Sequence, residues 1–387
     1  MRLIVRLIAP FLALLVAWPA MAAFETRAGA AWVYDLTNDA VLLSKNAQVP
    51  LPPASMSKLM TLNMLFEALR ESPTVTLETQ FNVSQRAQDM GGSTMMLQRG
   101  DRPTVEDLIK GVIVQSGNDA TVAIAEGLAG TEAAFARLMN ERARAIGLKN
   151  SNFTNASGWP DPEHRMSAED LGVLSARLIR EFPEYYVYFS QSEYYYAERS
   201  PANRFNRNPL LSLGIGADGL KTGHTDEAGF GLAGSAVQGG RRIVFIITGL
   251  DSADARAEEA ERLVNWAMRQ FVERKAIRAG QRFAEIPVHM GSADSVPIVA
   301  AEDLTLLLPL SAANSLDAEI IYSGPVSAPI TAGTELARMV ISVPDLPDVT
   351  VPLVAENDVA EGGILVRLRI AANQLLQRMF GANAATP

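Results

Sequence analysis

Three short stretches of this chain hold side chains able to do acyl chemistry. Ser55-Met56-Ser57-Lys58 sets an alcohol and an amine three residues apart. On a helix that separation is about one turn, so both groups point the same way and the amine can reach the hydroxyl. Ser55 also opens a predicted helix, whose positive end favours a developing alkoxide. Ser116-Gly117-Asn118 adds a second hydroxyl and a carboxamide, in a glycine-containing turn within an apolar helical stretch. Lys221-Thr222-Gly223 begins a predicted strand just after Asp218-Gly219, and Gly223 would let a ligand backbone approach closely. Together these groups support attack by a serine with an amine as base. Taken alone each motif is weak: S-x-x-K arises about once by chance in a chain this long, S-x-N similarly, and K-T-G in fewer than roughly one chain in ten. Their order, and their placement at a helix start, a turn and a strand, single them out.

Composition narrows the alternatives. Cysteine is absent, which removes disulfides, thiolate metal sites and a cysteine nucleophile together. His164, His224 and His289 lie too far apart for a local zinc motif, so neither a metal nor a cofactor is expected. The net charge is −9 and no long basic run occurs, which argues against a nucleic-acid partner. At 387 residues, 48% of them apolar, the chain is globular and long enough for two domains.

The elements that must position these groups follow from hydrophobic period. Residues 31–34 and 40–43 flank a polar turn and read as a hairpin. Helices are predicted over 55–70, 105–129, 132–146, 167–181 and 254–273, the fourth opening on a capping-box pattern from Ser167. Strands are predicted over 219–225, 230–236 and 242–248, giving a mixed α/β domain over residues 23–275. Beyond it no helical period persists. Short runs at 284–289, 304–308, 319–321, 339–343 and 349–354 alternate with Pro, Gly and Ser clusters, the pattern of a small antiparallel all-β sandwich over 276–361.

Both ends of the chain read as addresses. Residues 1–22 carry Arg2 and Arg6, an apolar stretch from Leu7 to Trp18 and Ala20-Met21-Ala22, the pattern of a cleaved signal peptide, so the protein is expected to be exported. After Gly362-Gly363, from Ile364 to Phe380, apolar side chains share one helical face and Arg367, Arg369 and Arg378 lie on the other. Residues 362–387 are therefore expected to form an amphipathic C-terminal helix that lies on an anionic membrane surface and is too short to span it.

The set S-x-x-K, S-x-N and K-T-G, in that order, marks penicillin-binding proteins and class A β-lactamases. The stretches Pro52 to Thr61, Gln115 to Ala120 and Asp218 to Thr225 resemble those of a low-molecular-mass penicillin-binding protein of the D-alanyl-D-alanine carboxypeptidase type. The likeness runs from about Ala30 to the C-terminus and includes the β-rich second domain and the terminal helix. Two departures are Ser57, where that family often has threonine, and a Met-rich stretch at 86–97 beside the site. The resemblance implies a β-lactamase/transpeptidase-like catalytic domain at the periplasmic face of the inner membrane. It implies removal of the last D-alanine from peptidoglycan stem pentapeptides, a part in cell-wall synthesis and cell shape, and covalent capture of β-lactam antibiotics.

It also implies roles for the residues. Ser55 is the nucleophile and Lys58 the base, its pKa lowered by burial and by a nearby cation, for which Lys221 is available. Ser116 relays a proton, Asn118 holds the substrate amide, and Lys221 with Thr222 grips the terminal carboxylate. The backbone N–H groups of Ser55 and His224 form the oxyanion hole, so His224 is positional. Arg207 is either a structural loop arginine or a substrate contact. His164 and the tyrosines at 185, 186, 188, 194, 195 and 196 read as surface packing. The competing readings are a β-lactamase of the same fold, with Glu163 or Glu169 activating water, and a catalytically silent module that binds wall peptides.

Overall fold

The computed structural model describes residues 24–310, 317–342, 348–364 and 368. The leader expected over 1–22 lies outside them, as does the expected terminal helix apart from Ile364 and Leu368. Among the described residues no helix is long and apolar enough to cross a membrane.

The first half is built on a five-stranded antiparallel sheet of order β2-β1-β5-β4-β3. Its strands are β1 (Ala30–Asp35), β2 (Ala40–Lys45), β3 (Ala217–Thr225), β4 (Gly229–Gln238) and β5 (Arg241–Leu250). The central β5 is buried without alternation from Ile243 to Ile247 because helices cover both faces. Ile246 packs with Trp32 into the larger helical layer, whereas Ile243, Phe245 and Ile247 pack with Leu263, Val264 and Ala267.

The helices are α1 (Lys58–Glu71), the single turn α2 (Gln85–Gln88), α3 (Val105–Lys110), α4 (Asn118–Ala129), α5 (Glu132–Ala145), α6 (Ala168–Glu181), the single turn α7 (Pro183–Tyr186) and α8 (Ala253–Arg269). Helix α1 runs through the middle of the larger layer, and Leu59, Met60, Leu62, Leu65 and Phe66 are wholly buried along it. At α6 the predicted capping box is only half formed. Ser167 Oγ accepts the Asp170 N–H at 3.0 Å, but the Asp170 carboxylate turns to the backbone N–H groups of Lys149 and Asn150.

Two predictions change. The helix expected over 105–129 is broken: α3 passes into one wide turn over Gly111–Gln115, Ser116 adopts a left-handed conformation with φ 58°, and α4 restarts at Asn118. The helix expected to reach residue 273 stops at Arg269, and Phe271 starts a strand. Its ring packs edge-on against Trp266, and the β-branched and aromatic start of the segment suits strand pairing.

The second half contains β6 (Phe271–Ile277), β7 (Arg282–His289), β8 (Ser295–Ala300), β9 (Leu304–Pro309), β10 (Asp317–Tyr322), β11 (Val326–Ser327), β12 (Glu335–Ser342) and β13 (Val349–Ala355). Six of them form one sheet of order β10-β12-β13-β8-β7-β11, and β6 pairs with β9. Ile277, Leu306 and Leu308 of the pair pack on Ile286, Ile298, Met339 and Leu353 of the larger sheet. The arrangement is antiparallel except where β11 runs parallel to β7. Strand β8 went unpredicted because Pro297 interrupts its apolar run.

Candidate active site

The site is assembled around the turn that leads into α1. Ala54–Ser57 is one turn of 3₁₀ helix, and Ala54 enters it at φ 49°, in the left-handed region. This turn buries Met56, Ser57 and Lys58 and leaves Ser55 half-exposed at the cleft. Lys58 Nζ lies 2.7 Å from Ser55 Oγ and 2.7 Å from the carbonyl oxygen of Ser157. Lys58 is completely buried, and that burial first, then the charge of Arg207, lowers its pKa to about 7 against an opposing pull from Asp119. A neutral Lys58 that donates one N–H to Ser157 O has its lone pair available toward the Ser55 hydroxyl.

The Ser157 carbonyl is presented by a loop clamped at its base, where Asn152 and Arg165 pair through both backbone groups at 2.8 and 3.0 Å. Within it Asn155 Oδ1 accepts the backbone N–H groups of Ser157, Gly158 and Trp159 at 3.1, 2.8 and 3.0 Å. Gly158 sits at φ +76°, and a Cβ there would come within 1.9 Å of Ala54 O. Gly158→Ala is therefore expected to cost about 2–5 kcal/mol, from a left-handed alanine plus a backbone overlap. Denaturant unfolding checks this, and an unchanged midpoint would mean that the loop does not rest on the turn.

The second motif approaches from the helix break. Ser116 is buried and its Oγ has no hydrogen-bond partner in the fold. Asn118 donates Nδ2–H to Gly91 O at 2.8 Å, and its backbone N–H donates to Ser93 O at 2.8 Å. The adjacent Asp119 is buried and accepts the backbone N–H groups of Met95 and Leu97 at 2.9 and 3.0 Å. Burial raises its pKa and the backbone donors oppose that rise. The Met-rich stretch flagged in the sequence is thus tied to the start of α4.

The third motif lies on β3, at the edge of its sheet, with Lys221, Thr222 and Gly223 buried and His224 exposed. A Cβ on Gly223 would stand 3.0 Å from Pro53 O and 3.2 Å from both Ala54 Cβ and Met56 Cγ. What comes close is the protein's own Ser55 turn, so Gly223 is what lets the third motif reach the first. The His224 ring stacks on Phe230 with centroids 3.8 Å apart.

Behind these groups is a cluster of cations. Arg207 donates to Ser93 Oγ at 2.9 Å and to Gln115 O at 3.3 Å. Arg256, on α8, donates to Arg207 O at 3.3 Å. Lys221 Nζ reaches its neighbour's carbonyl, Thr222 O, at 3.2 Å. Burial holds Lys221 well below its usual range, reinforced by Lys58, Arg207 and Arg256. Burial also lowers Arg207 and, together with Arg207's charge, Arg256. The sequence pointed to Lys221 as the cation that depresses Lys58; the two lysines do repel one another, and Arg207 adds its charge against both. Buried Lys221 and Arg256, with Arg207 exposed beside them at the cleft, form a place built for an anion.

Residues 18–252 match the D-alanyl-D-alanine carboxypeptidase family, and residues 271–361 match the penicillin-binding protein 5 C-terminal domain. The chain is 33% identical over 352 residues to the D-alanyl-D-alanine carboxypeptidase DacD of Escherichia coli, covering 89% of this chain and 90% of that protein. The chain belongs to the D-alanyl-D-alanine carboxypeptidase family. Its fold matches two crystal structures of such proteins. The D-alanyl-D-alanine carboxypeptidase DacD from Francisella tularensis superimposes with a TM-score of 0.76 at 27% identity, over 88% of this chain and 95% of that one. Penicillin binding protein 5 from Haemophilus influenzae gives a TM-score of 0.70 at 30% identity, over 88% and 99%.

Against the D-alanyl-D-alanine carboxypeptidase pattern, the three motifs of this chain converge on one cleft, and Arg207 converges with them. Asn155, Ser157 and Arg256 also serve the site and carried no sequence signal, since each acts through a backbone group or from a distant element, whereas Asp119 stands within the second motif's stretch and was given no role. The surface assignment of two others is corrected. His164 is buried, with Nε2 2.7 Å from Ser57 Oγ, and Tyr186 is buried with its hydroxyl donating to Asp218 Oδ1 at 2.8 Å. Tyr185, Tyr188, Tyr194, Tyr195 and Tyr196 are half-buried. Of the carboxylates considered for water activation, Glu163 is exposed on the clamped loop and Glu169 lies in the first turn of α6.

Proposed function

We propose that this chain removes the terminal D-alanine from peptidoglycan stem peptides through an acyl-enzyme on Ser55. The observation that carries the assignment is the 2.7 Å contact between Ser55 Oγ and a buried lysine whose pKa lies near 7. Ser55 Oγ attacks the carbonyl of the last peptide bond as Lys58 takes its proton. Backbone N–H groups of Ser55 and His224 hold the developing oxyanion. The tetrahedral intermediate collapses when the departing amine of D-alanine receives that proton through Ser116, whose hydroxyl has no other partner. Water then hydrolyses the ester, with Lys58 again as base.

Asn118 orients the substrate amide. Lys221, Arg207 and Arg256 supply the positive field for the terminal carboxylate and Thr222 a hydroxyl donor to it, which favours cleavage of the last residue over internal bonds. A cavity of about 260 Å³, lined by Ala54, Gly158, Trp159 and Thr225, adjoins the Ser55 turn and offers space to the upstream peptide. Penicillins, which carry a reactive amide and a carboxylate in a similar relation, acylate the same serine. The decisive experiment treats the protein with benzylpenicillin, locates the adduct by mass spectrometry, and measures D-alanine release from a peptide ending in D-Ala-D-Ala. An adduct on another residue, or no release, would overturn the assignment.

The reading extends to location. The pattern of residues 1–22 supports export, and the arginine-faced segment from Ile364 to Phe380 supports attachment to the outer face of the cytoplasmic membrane. Deleting residues 364–387 is expected to move the protein from the membrane pellet to the soluble fraction with peptide hydrolysis unchanged. Sedimentation of the truncated chain with membranes would refute the anchor.

A further inference from the structure

The buried contact between His164 and the Ser55 turn has a place in the reaction. His164 lies 107 residues from Ser57 in sequence, yet its Nε2 is 2.7 Å from Ser57 Oγ. Its other nitrogen, Nδ1, accepts the backbone N–H of Thr154 at 3.2 Å, so the ring proton sits on Nε2 and is donated to Ser57. The ring is held edge-on to Phe153, with centroids 5.6 Å apart at 87°. The same loop touches the turn at the next residue too, where Ser157 O accepts from Lys58 Nζ.

Consecutive residues of a helical turn point about 100–120° apart around its axis. One contact would leave the turn able to rotate about it; contacts at both Ser57 and Lys58 fix the rotation and with it the direction of Ser55 Oγ. We propose that His164 is a positioning residue for acylation, using its Nε2–H to hold Ser57 and so keep Ser55 Oγ, Lys58 Nζ and Ser157 O in register.

The environment agrees with a neutral ring. Burial chiefly, with the charges of Lys58 and Arg165 against that of Asp161, holds His164 down at about 4. A neutral imidazole anchors the turn without placing a second charge beside the base. The contact is also the use found for Ser57, which otherwise buries a hydroxyl in the middle of the motif. This inference rests on the acylation mechanism above.

The test compares His164→Phe, which keeps the ring shape and loses the donor, with His164→Gln, whose side-chain amide can donate in its place. His164→Phe is expected to lower kcat for D-alanine release and the penicillin acylation rate by about 10–100-fold with KM little changed, the scale of a misplacement near 1 Å. His164→Gln is expected to recover most of the loss. Ser57→Ala removes the same contact from the other side. It should lose a similar factor, and the double variant with His164→Phe should lose no more than either alone.

Losses that multiply in the double variant, a His164→Phe enzyme within twofold of wild type, or Gln no better than Phe at equal melting temperature would each overturn the inference. Should His164→Phe fail to fold, Ser57→Ala carries the comparison. Proton NMR gives a readout that needs no turnover: a hydrogen-bonded imidazole Nε2–H present in wild type and lost in Ser57→Ala. Its absence from wild type would overturn the contact itself. A wild type that acylates with penicillin while all these variants do likewise fails this inference alone, whereas a wild type that never acylates fails the mechanism.

Discussion

Lys58→Ala lowers the rate of Ser55 acylation by on the order of 10³-fold or more, with the fold intact. The size follows from geometry. Lys58 Nζ is the basic group in contact with Ser55 Oγ, and the truncation leaves the serine proton without an acceptor at 2.7 Å. The pH profile makes the result specific. Because the reactive form is the neutral amine and its pKa is about 7, wild-type acylation should fall about tenfold per pH unit below that value. Stability carries the same signature. The folded pKa is depressed from 10.5, so folding releases a proton between pH 7 and 10.5, and stability rises with pH across that window and is lost as pH falls through it. Lys58→Ala should flatten that slope. An acylation rate within tenfold of wild type, or an acid limb that survives the substitution, would remove Lys58 from the role of base.

Ser55→Ala abolishes covalent penicillin labelling and lowers D-alanine release by on the order of 10⁴-fold or more. The substitution takes away one oxygen from a half-exposed position and leaves the Lys58 contact with Ser157 O in place, so the architecture of the cleft is preserved. Intact-mass measurement of wild type and variant after penicillin treatment reads the result directly. A residual adduct in Ser55→Ala would mean that another hydroxyl, Ser116 first among them, carries the acyl group.

Much of this site could be read from the chain because its reacting groups fall in short local spacings. Ser55 and Lys58 are one turn apart, and Lys221-Thr222-Gly223 follows directly on Asp218-Gly219; both are properties of a few neighbouring residues. What the sequence hid is what acts across the fold. Arg207 adds its charge against Lys58 and Lys221 from a distant stretch of the chain, which no local spacing announces. His164 looked like a surface residue because a lone histidine has no periodic partner, and its role depends on Thr154 and Ser57 meeting it in space. The turn at Ser116-Gly117-Asn118 was legible from its glycine, but the apolar run on both sides hid that it divides the helix in two. Strand β6 was missed because a good amphipathic helix, α8, ends only one residue before it.

The crowd of like charges around Lys221 implies an exchange of robustness for recognition. Lys58, Lys221 and Arg256 are held out of water close to the exposed Arg207, an arrangement that strains the resting enzyme. A ligand's acid group relieves that strain on arrival, so part of its affinity is prepaid by the unoccupied protein. An amidated peptide of the same shape would gain none of this relief, which makes the chain end itself the feature that the enzyme selects.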